Sequence, residues 1–146
     1  RDVLAVPGVS HLIVLEGVND LGNMKHEGNT VSASDLINGY RQIIQRAQSH
    51  GIKVFLATIL PYKGAGYWSE DGERVRQNVN AWMRSQSEAD RIFDFDRAIA
   101  DRSRPQHMAK VYDWGDSLHP NDAGMEAMAQ AVDLKNLLRT SIKTRD

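Results

Sequence analysis

Asp116 and His119 stand three residues apart in Asp116-Ser117-Leu118-His119-Pro120-Asn121-Asp122-Ala123-Gly124, a carboxylate and an imidazole directly before a stretch that reads as a helix start. A carboxylate that accepts a hydrogen bond from one ring nitrogen fixes the tautomer, and the other nitrogen is then free to take a proton from a nucleophile. That chemistry needs two further parts, the nucleophile itself and donors aimed at a developing oxyanion.

A donor candidate lies near the other end of the chain, in His11-Leu12-Ile13-Val14-Leu15-Glu16-Gly17-Val18-Asn19-Asp20. The run of branched aliphatics from Leu12 to Leu15, ended by Gly17 and Asn19-Asp20, reads as a parallel strand buried on both faces. Asn19 then falls just past the carboxyl end of that strand, where ligands bind in open α/β sheets. Its side-chain amide is a donor suited to acyl transfer.

Gly17-Val18-Asn19-Asp20 and Asp116-Ser117-Leu118-His119-Pro120-Asn121 resemble the third and fifth conserved blocks of the SGNH, or GDSL-type, ester hydrolases. The likeness extends to Arg1 through Val9, to the strand end Ala57-Thr58-Ile59-Leu60-Pro61-Tyr62, to Val75 through Trp82 and to Phe93-Asp94-Phe95-Asp96, which resemble a xylan-esterase-like subgroup. It spans Arg1 to about Leu138. The resemblance implies a three-layer α/β/α sandwich of flavodoxin-like type, with a partial domain over residues 1–139 and a polar tail over 140–146. It implies a parallel sheet whose first two strands, together with the family's Ser and Gly blocks, would precede Arg1. On this likeness Asp116 and His119 are the catalytic pair and Asn19 an oxyanion donor. Asp20, Tyr62, Tyr67, Trp68 and Trp114 are candidate substrate contacts, and no metal or organic cofactor is implied.

A literal Gly115-Asp116-Ser117-Leu118 invites assignment of Ser117 as the nucleophile. The family's nucleophile follows its first strand, whereas this copy lies inside the late Asp-x-x-His block. Ser117 is also only two positions from His119, so its side chain is expected to turn away from the imidazole and to bond locally. Ser10 precedes a strand, and Ser32, Ser34 and Ser69 read as helix caps. The nucleophile is therefore expected upstream of Arg1.

The elements that must hold these groups alternate. Leu12–Leu15 is the first strand, and a polar loop over 20–31 follows. Leu36, Ile37, Tyr40, Ile43, Ile44 and Ala47 share one helical face, with serines before and Gly51 after. A strand over Ile52–Ile59 ends at Pro61, a helix runs from Glu70 to Gln86, and a third strand covers Arg91–Phe95. A helical turn over Arg97–Asp101, an irregular stretch to Trp114 and a final helix from Asn121 through Val132 complete the order. Glu16 reads as a partly buried carboxylate that meets a donor, and His11, His26, His50 and His107 as surface or loop residues.

Composition bounds the alternatives. The 146 residues carry a net charge of −1 and 41% apolar content, enough for one domain's core. Near-neutral balance without a basic run argues against a nucleic-acid partner. No window is long and apolar enough for a membrane span, and with no cysteine there is neither a disulfide framework nor thiolate chemistry. No compartment is indicated. The loop from Tyr62 to Trp68 combines two glycines with aromatic faces that suit stacking on a sugar or packing on an acyl chain. The expected function is hydrolysis of carboxyl esters, acetyl or acyl esters of carbohydrates among them. The alternative is a non-catalytic module used in binding or assembly. An unpaired outer edge on the first strand would invite a second copy or a complementing amino-terminal fragment.

Overall fold

The computed structural model describes residues 3–24 and 30–139; His26 and the polar tail over 140–146 lie outside them. Three strands, β1 (His11–Val14), β2 (Lys53–Ala57) and β3 (Arg91–Phe93), form one parallel sheet in the order β1-β2-β3. Leu12 pairs with Val54 and Phe55 with Arg91.

The middle strand shows why the molecule has three layers. Successive side chains of a strand point to opposite faces, and β2 is apolar at both sets of positions. Val54 and Leu56 enter one core with Tyr40, Ile44, Val75 and Val79, while Phe55 and Ala57 enter a second with Phe93, Phe95, Ile99 and Met128. The first core is covered by α2 (Ala33–Ser49) and α3 (Glu70–Ser85). The second is covered by α4 (Phe95–Ile99) and α5 (Asp122–Gln130). Phe55 and Phe93 stack at 5.7 Å between ring centres. The sheet is thus sandwiched between helical layers, as the alternation of elements implied.

Helix starts follow their caps. Ser32 accepts from the Asp35 amide while Asp35 accepts from the Ser32 amide, a reciprocal capping box at α2. Ser69 caps α3 through the Gly72 amide, and Asn121 caps α5 through that of Gly124.

Several boundaries differ from the sequence expectation. The polar segment after β1 opens with a short helix, α1 (Val18–Asn23), so Asn19 and Asp20 are helical. The strand expected over Ile52–Ile59 pairs only to Ala57: the Thr58 amide makes the last bond to β3, donating to the Phe93 carbonyl at 3.0 Å, and the Ile59 amide turns to the Asn80 side chain. Asp94 caps α4 through the Arg97 amide, which ends β3 at Phe93 and starts the helix at Phe95. The stretch read as irregular contains an antiparallel hairpin, β4 (Ala100–Asp101) with β5 (Arg104–Met108). Asp101 organises its turn through the Ser103 and Arg104 amides, a signal carried by one acidic side chain rather than by periodicity. After α5 a further helix, α6 (Leu134–Arg139), was not expected. Glu16 is exposed just beyond β1 rather than partly buried, and its carbonyl accepts from the Tyr40 hydroxyl at 2.7 Å. His11 is half-buried rather than a surface residue: it stacks on Phe55 at 5.8 Å, with Nε2 buried and without a hydrogen-bond partner among the described residues.

The free edge of β1 is unpaired among the described residues. Ile13 is 47% and Leu15 38% exposed there. No described helix is long and apolar enough to cross a membrane.

Candidate active site

The Asp-x-x-His segment is shaped by its own short acids. One oxygen of Asp113 accepts from the Gly115 and Ser117 amides, at 2.8 and 2.9 Å. One oxygen of Asp116 accepts from the Leu118 and His119 amides, at 2.9 and 2.8 Å. The other Asp116 oxygen is then directed at His119 Nδ1, 2.6 Å away. The loop closes because the Trp114 amide donates to the His119 carbonyl and the Asn121 amide to that of Tyr112. The Asn121 side chain ties the same loop from below, donating to the Val111 and Asp113 carbonyls while capping α5. The pair is thereby mounted rigidly on a helix start although its side chains face solvent, at 70% exposure for His119 and 46% for Asp116.

The hydrogen bond from His119, followed by the two backbone amides, pulls the Asp116 carboxyl down to about 2. It remains an anion that orients the ring and does not itself take the proton. With Nδ1 engaged, Nε2 is the nitrogen left for chemistry.

His119 and Asn19 line one cavity of about 230 Å³ beyond the carboxyl ends of β1 and β2. Leu15, Ile59, Leu60 and Leu118 supply apolar walls, and Tyr62 and Tyr67 close it. Asn19 is delivered there by the β1–α1 turn. Gly17 makes that turn with φ 106°, and a Cβ would lie 2.9 Å from Ile59 Cδ1, so a side chain is excluded on both counts. Of the candidate contacts, Tyr62 and Tyr67 reach the cavity, Tyr62 as a fully buried ring whose hydroxyl has no hydrogen-bond partner among the described residues.

The remaining candidates are not brought together. Asp20 faces a separate groove with Asp35 and Tyr40, because α1 turns successive side chains apart. Trp68 carries Lys63 Nζ 4.7 Å over its ring and lines a shallow groove with Glu73 and Gln106. Trp114 is 71% exposed and outside the cavity. Ser117, with φ 60°, lies against Gly64: a Cβ at position 64 would sit 2.7 Å from its Oγ. Among the described residues its hydroxyl makes no hydrogen bond to His119, whose Nδ1 is engaged by Asp116.

Sequence patterns missed the support beneath the cavity. Arg76, fully buried, donates to both Glu73 oxygens, to Asp96 at 2.6 Å and to the Ile59 carbonyl at 3.0 Å. Burial opposes its charge, but the hydrogen bonds and charges of Glu73 and Asp96 outweigh that and hold it protonated. Asn80 grips the same peptide from both sides, accepting from the Ile59 amide at 2.8 Å and donating to its carbonyl at 2.9 Å. On a helical wheel these residues look like solvated positions. Among the described residues no three His, Asp or Glu side chains are grouped as metal ligands.

Residues 1–127 match the GDSL-like lipase/acylhydrolase family. The chain is 27% identical over 133 residues to the uncharacterized esterase YxiM of Bacillus subtilis (strain 168), which covers 85% of this chain and 32% of that protein. It superposes on a candidate acylhydrolase of Bacteroides fragilis NCTC 9343 with a TM-score of 0.71 at 16% identity, covering 84% of this chain and 58% of the other. A candidate GDSL-like lipase of Parabacteroides merdae ATCC 43184 gives a TM-score of 0.57 at 20% identity, covering 83% and 57%. At these identities the solved structures speak for the fold. The chain spans about a third of the length of the curated relative it matches.

Proposed function

The chain belongs to the GDSL-like lipase/acylhydrolase family, and we propose that it carries the acid/base and oxyanion half of a carboxyl-ester hydrolase whose nucleophilic serine lies upstream of Arg1. The observation that carries this reading is the 2.6 Å contact of Asp116 with His119 Nδ1 at the mouth of a cavity that Asn19 also lines.

In this reading the upstream serine gives its proton to His119 Nε2 as its oxygen bonds the ester carbonyl carbon. Negative charge collects on the carbonyl oxygen and is met by the Asn19 amide. Collapse of that intermediate breaks the bond to the alkoxide, which takes the proton back from His119 and leaves as the alcohol. Water repeats the sequence on the acyl-enzyme and releases the acid. Asp116 holds the ring in the productive tautomer throughout. The exposed approach to His119 leaves room for a bulky alcohol, such as a carbohydrate, outside the cavity.

The test pairs labelling with assay. Residues 1–146 alone, treated with a serine-directed phosphonate and weighed intact, should take up no stoichiometric label and should turn over an activated acetyl ester only weakly. The longer protein with the upstream segment should label once and turn over. Labelling of residues 1–146 that disappears in Ser117→Ala would make Ser117 the nucleophile. A longer protein that neither labels nor hydrolyses would favour the binding or assembly module instead.

A further inference from the structure

An oxyanion donor works only if it presents nitrogen, and a side-chain amide offers nitrogen and oxygen at nearly the same place. Asn19 is exposed in the first turn of α1, so packing alone does not choose its orientation. Tyr67 does face it: the phenol hydroxyl donates to Asn19 Oδ1 at 3.4 Å. The phenol donates here, so Oδ1 is the amide atom turned to Tyr67, and among the described residues no bond engages the two Nδ2 hydrogens, which stay available to another acceptor.

The tyrosine is itself held in place. Its ring lies so close over Gly22, one helical turn from Asn19, that a Cβ there would come within 2.6 Å of Cδ2 and 2.8 Å of Cγ. On another side it meets the buried Tyr62 ring at 6.0 Å. The loop that carries it is fastened: the Lys63 amide donates to the Gln106 carbonyl on β5, the Ala65 amide to Tyr62 and the Trp68 amide to Ala65, each at 3.0 Å. Lys63 Nζ adds a 2.8 Å bond to the Gln106 side chain. A loop that looks flexible from its glycines therefore presents a fixed phenol. Burial, and then the nearby Asp116 charge, raise the Tyr67 hydroxyl above its ordinary range, so it stays protonated and able to donate at neutral pH.

We propose that Tyr67 is a positioning residue that turns the Asn19 amide so that Nδ2 rather than Oδ1 meets the oxyanion, with Gly22 as the gap that admits its ring. The proposal rests on the oxyanion reading of Asn19 given above, and it assigns Tyr67 a task other than stacking on substrate.

A double-mutant cycle in the full-length protein tests it, with an activated acetyl ester as substrate and Asn19→Ala, Tyr67→Phe and both together. Phenylalanine keeps the ring over Gly22 and removes only the hydroxyl, so the melting temperature serves as the control for folding. Tyr67→Phe should lower kcat by roughly 2- to 10-fold, the scale of one neutral hydrogen bond, with KM little changed. In the Asn19→Ala background the same change should cost nothing further. A loss that appears in KM, or that is equal in both backgrounds, would overturn the positioning role while leaving Asn19 as oxyanion donor. Full turnover by Asn19→Ala would overturn the oxyanion reading and the proposal with it.

Discussion

At the scale of single residues, two short acids and the Asn121 amide do most of the arranging. Asp113 and Asp116 each spend one oxygen on backbone amides, and only the second Asp116 oxygen is left for His119. Asp116→Asn keeps the shape but can present an N–H to Nδ1 and so favour the wrong tautomer. Turnover of the full-length protein should fall by about 10² to 10⁴, the upper end being the loss seen when a triad aspartate is amidated. Titration gives a second expectation. The folded Asp116 carboxyl lies at about 2, below its ordinary 3.8. Its interaction therefore favours the folded loop above about pH 4 and is lost as the pH falls through about 2. A carboxyl carbon shift followed by NMR should titrate near pH 2, and Asp116 should contribute nothing to an acid limb of kcat/KM above pH 4. For Asn19→Ala a loss of about 10² to 10³ in turnover is expected. Unfolding should be nearly unchanged, because its side chain is exposed.

At the scale of elements, the decisive joint is between α3 and the end of β2. Arg76 and Asn80 satisfy the Ile59 peptide where β2 leaves the sheet, and Ile59 is a wall of the cavity. Removing the guanidinium as Arg76→Met strands the buried Glu73 without its counter-charge and leaves the buried Asp96 with Arg84 alone. Denaturant unfolding should register a loss of about 3 to 5 kcal/mol, well above that for an exposed pair such as Arg74–Asp71. Asn121 couples folding and site differently, since it caps α5 and holds the dyad loop at Val111 and Asp113. Asn121→Ala should cost about 0.5 to 2 kcal/mol as a lost cap. A kcat loss out of proportion to that stability change would show that the loop, too, depends on it.

At the scale of the whole molecule, the sheet is asymmetric. β2 is buried between β1 and β3, with four residues of 0% exposure, whereas the other side of β1 presents Ile13 and Leu15 to solvent. Val3, Leu4, Ile43 and Ala47 line a groove of about 580 Å³ along that edge. An apolar strand edge beside an apolar groove is a template for pairing. Residues 1–146 alone should therefore self-associate in sedimentation velocity at micromolar concentration, and Ile13→Lys should shift the population toward monomer. A chain that stays monomeric at high concentration would show the edge to be tolerated as it stands.

Much of this was legible in the sequence, for reasons that are local. A run of aliphatics ended by glycine and asparagine makes a strand, although β1 is not buried on both faces as expected, since Ile13 is 47% exposed on its unpaired side; serine before an apolar periodicity makes a capped helix. Asp-x-x-His closes on itself within one turn, so the contact of Asp116 with His119 needed no distant partner. The ending of β2 at Ala57 was not legible, because the Ile59 amide turns to Asn80 on another element, and the hairpin at Asp101 was not, because its signal is one local acidic side chain without periodicity. The buried Arg76 network is the clearest case: nothing in the residues around position 76 distinguishes a solvated arginine from one that satisfies a peptide and two acids from another layer. The same holds for the candidate contacts. Tyr62, Tyr67, Trp68 and Trp114 are equivalent as aromatic side chains near a motif, and only tertiary packing brought the two tyrosines to the cavity while leaving both tryptophans outside it.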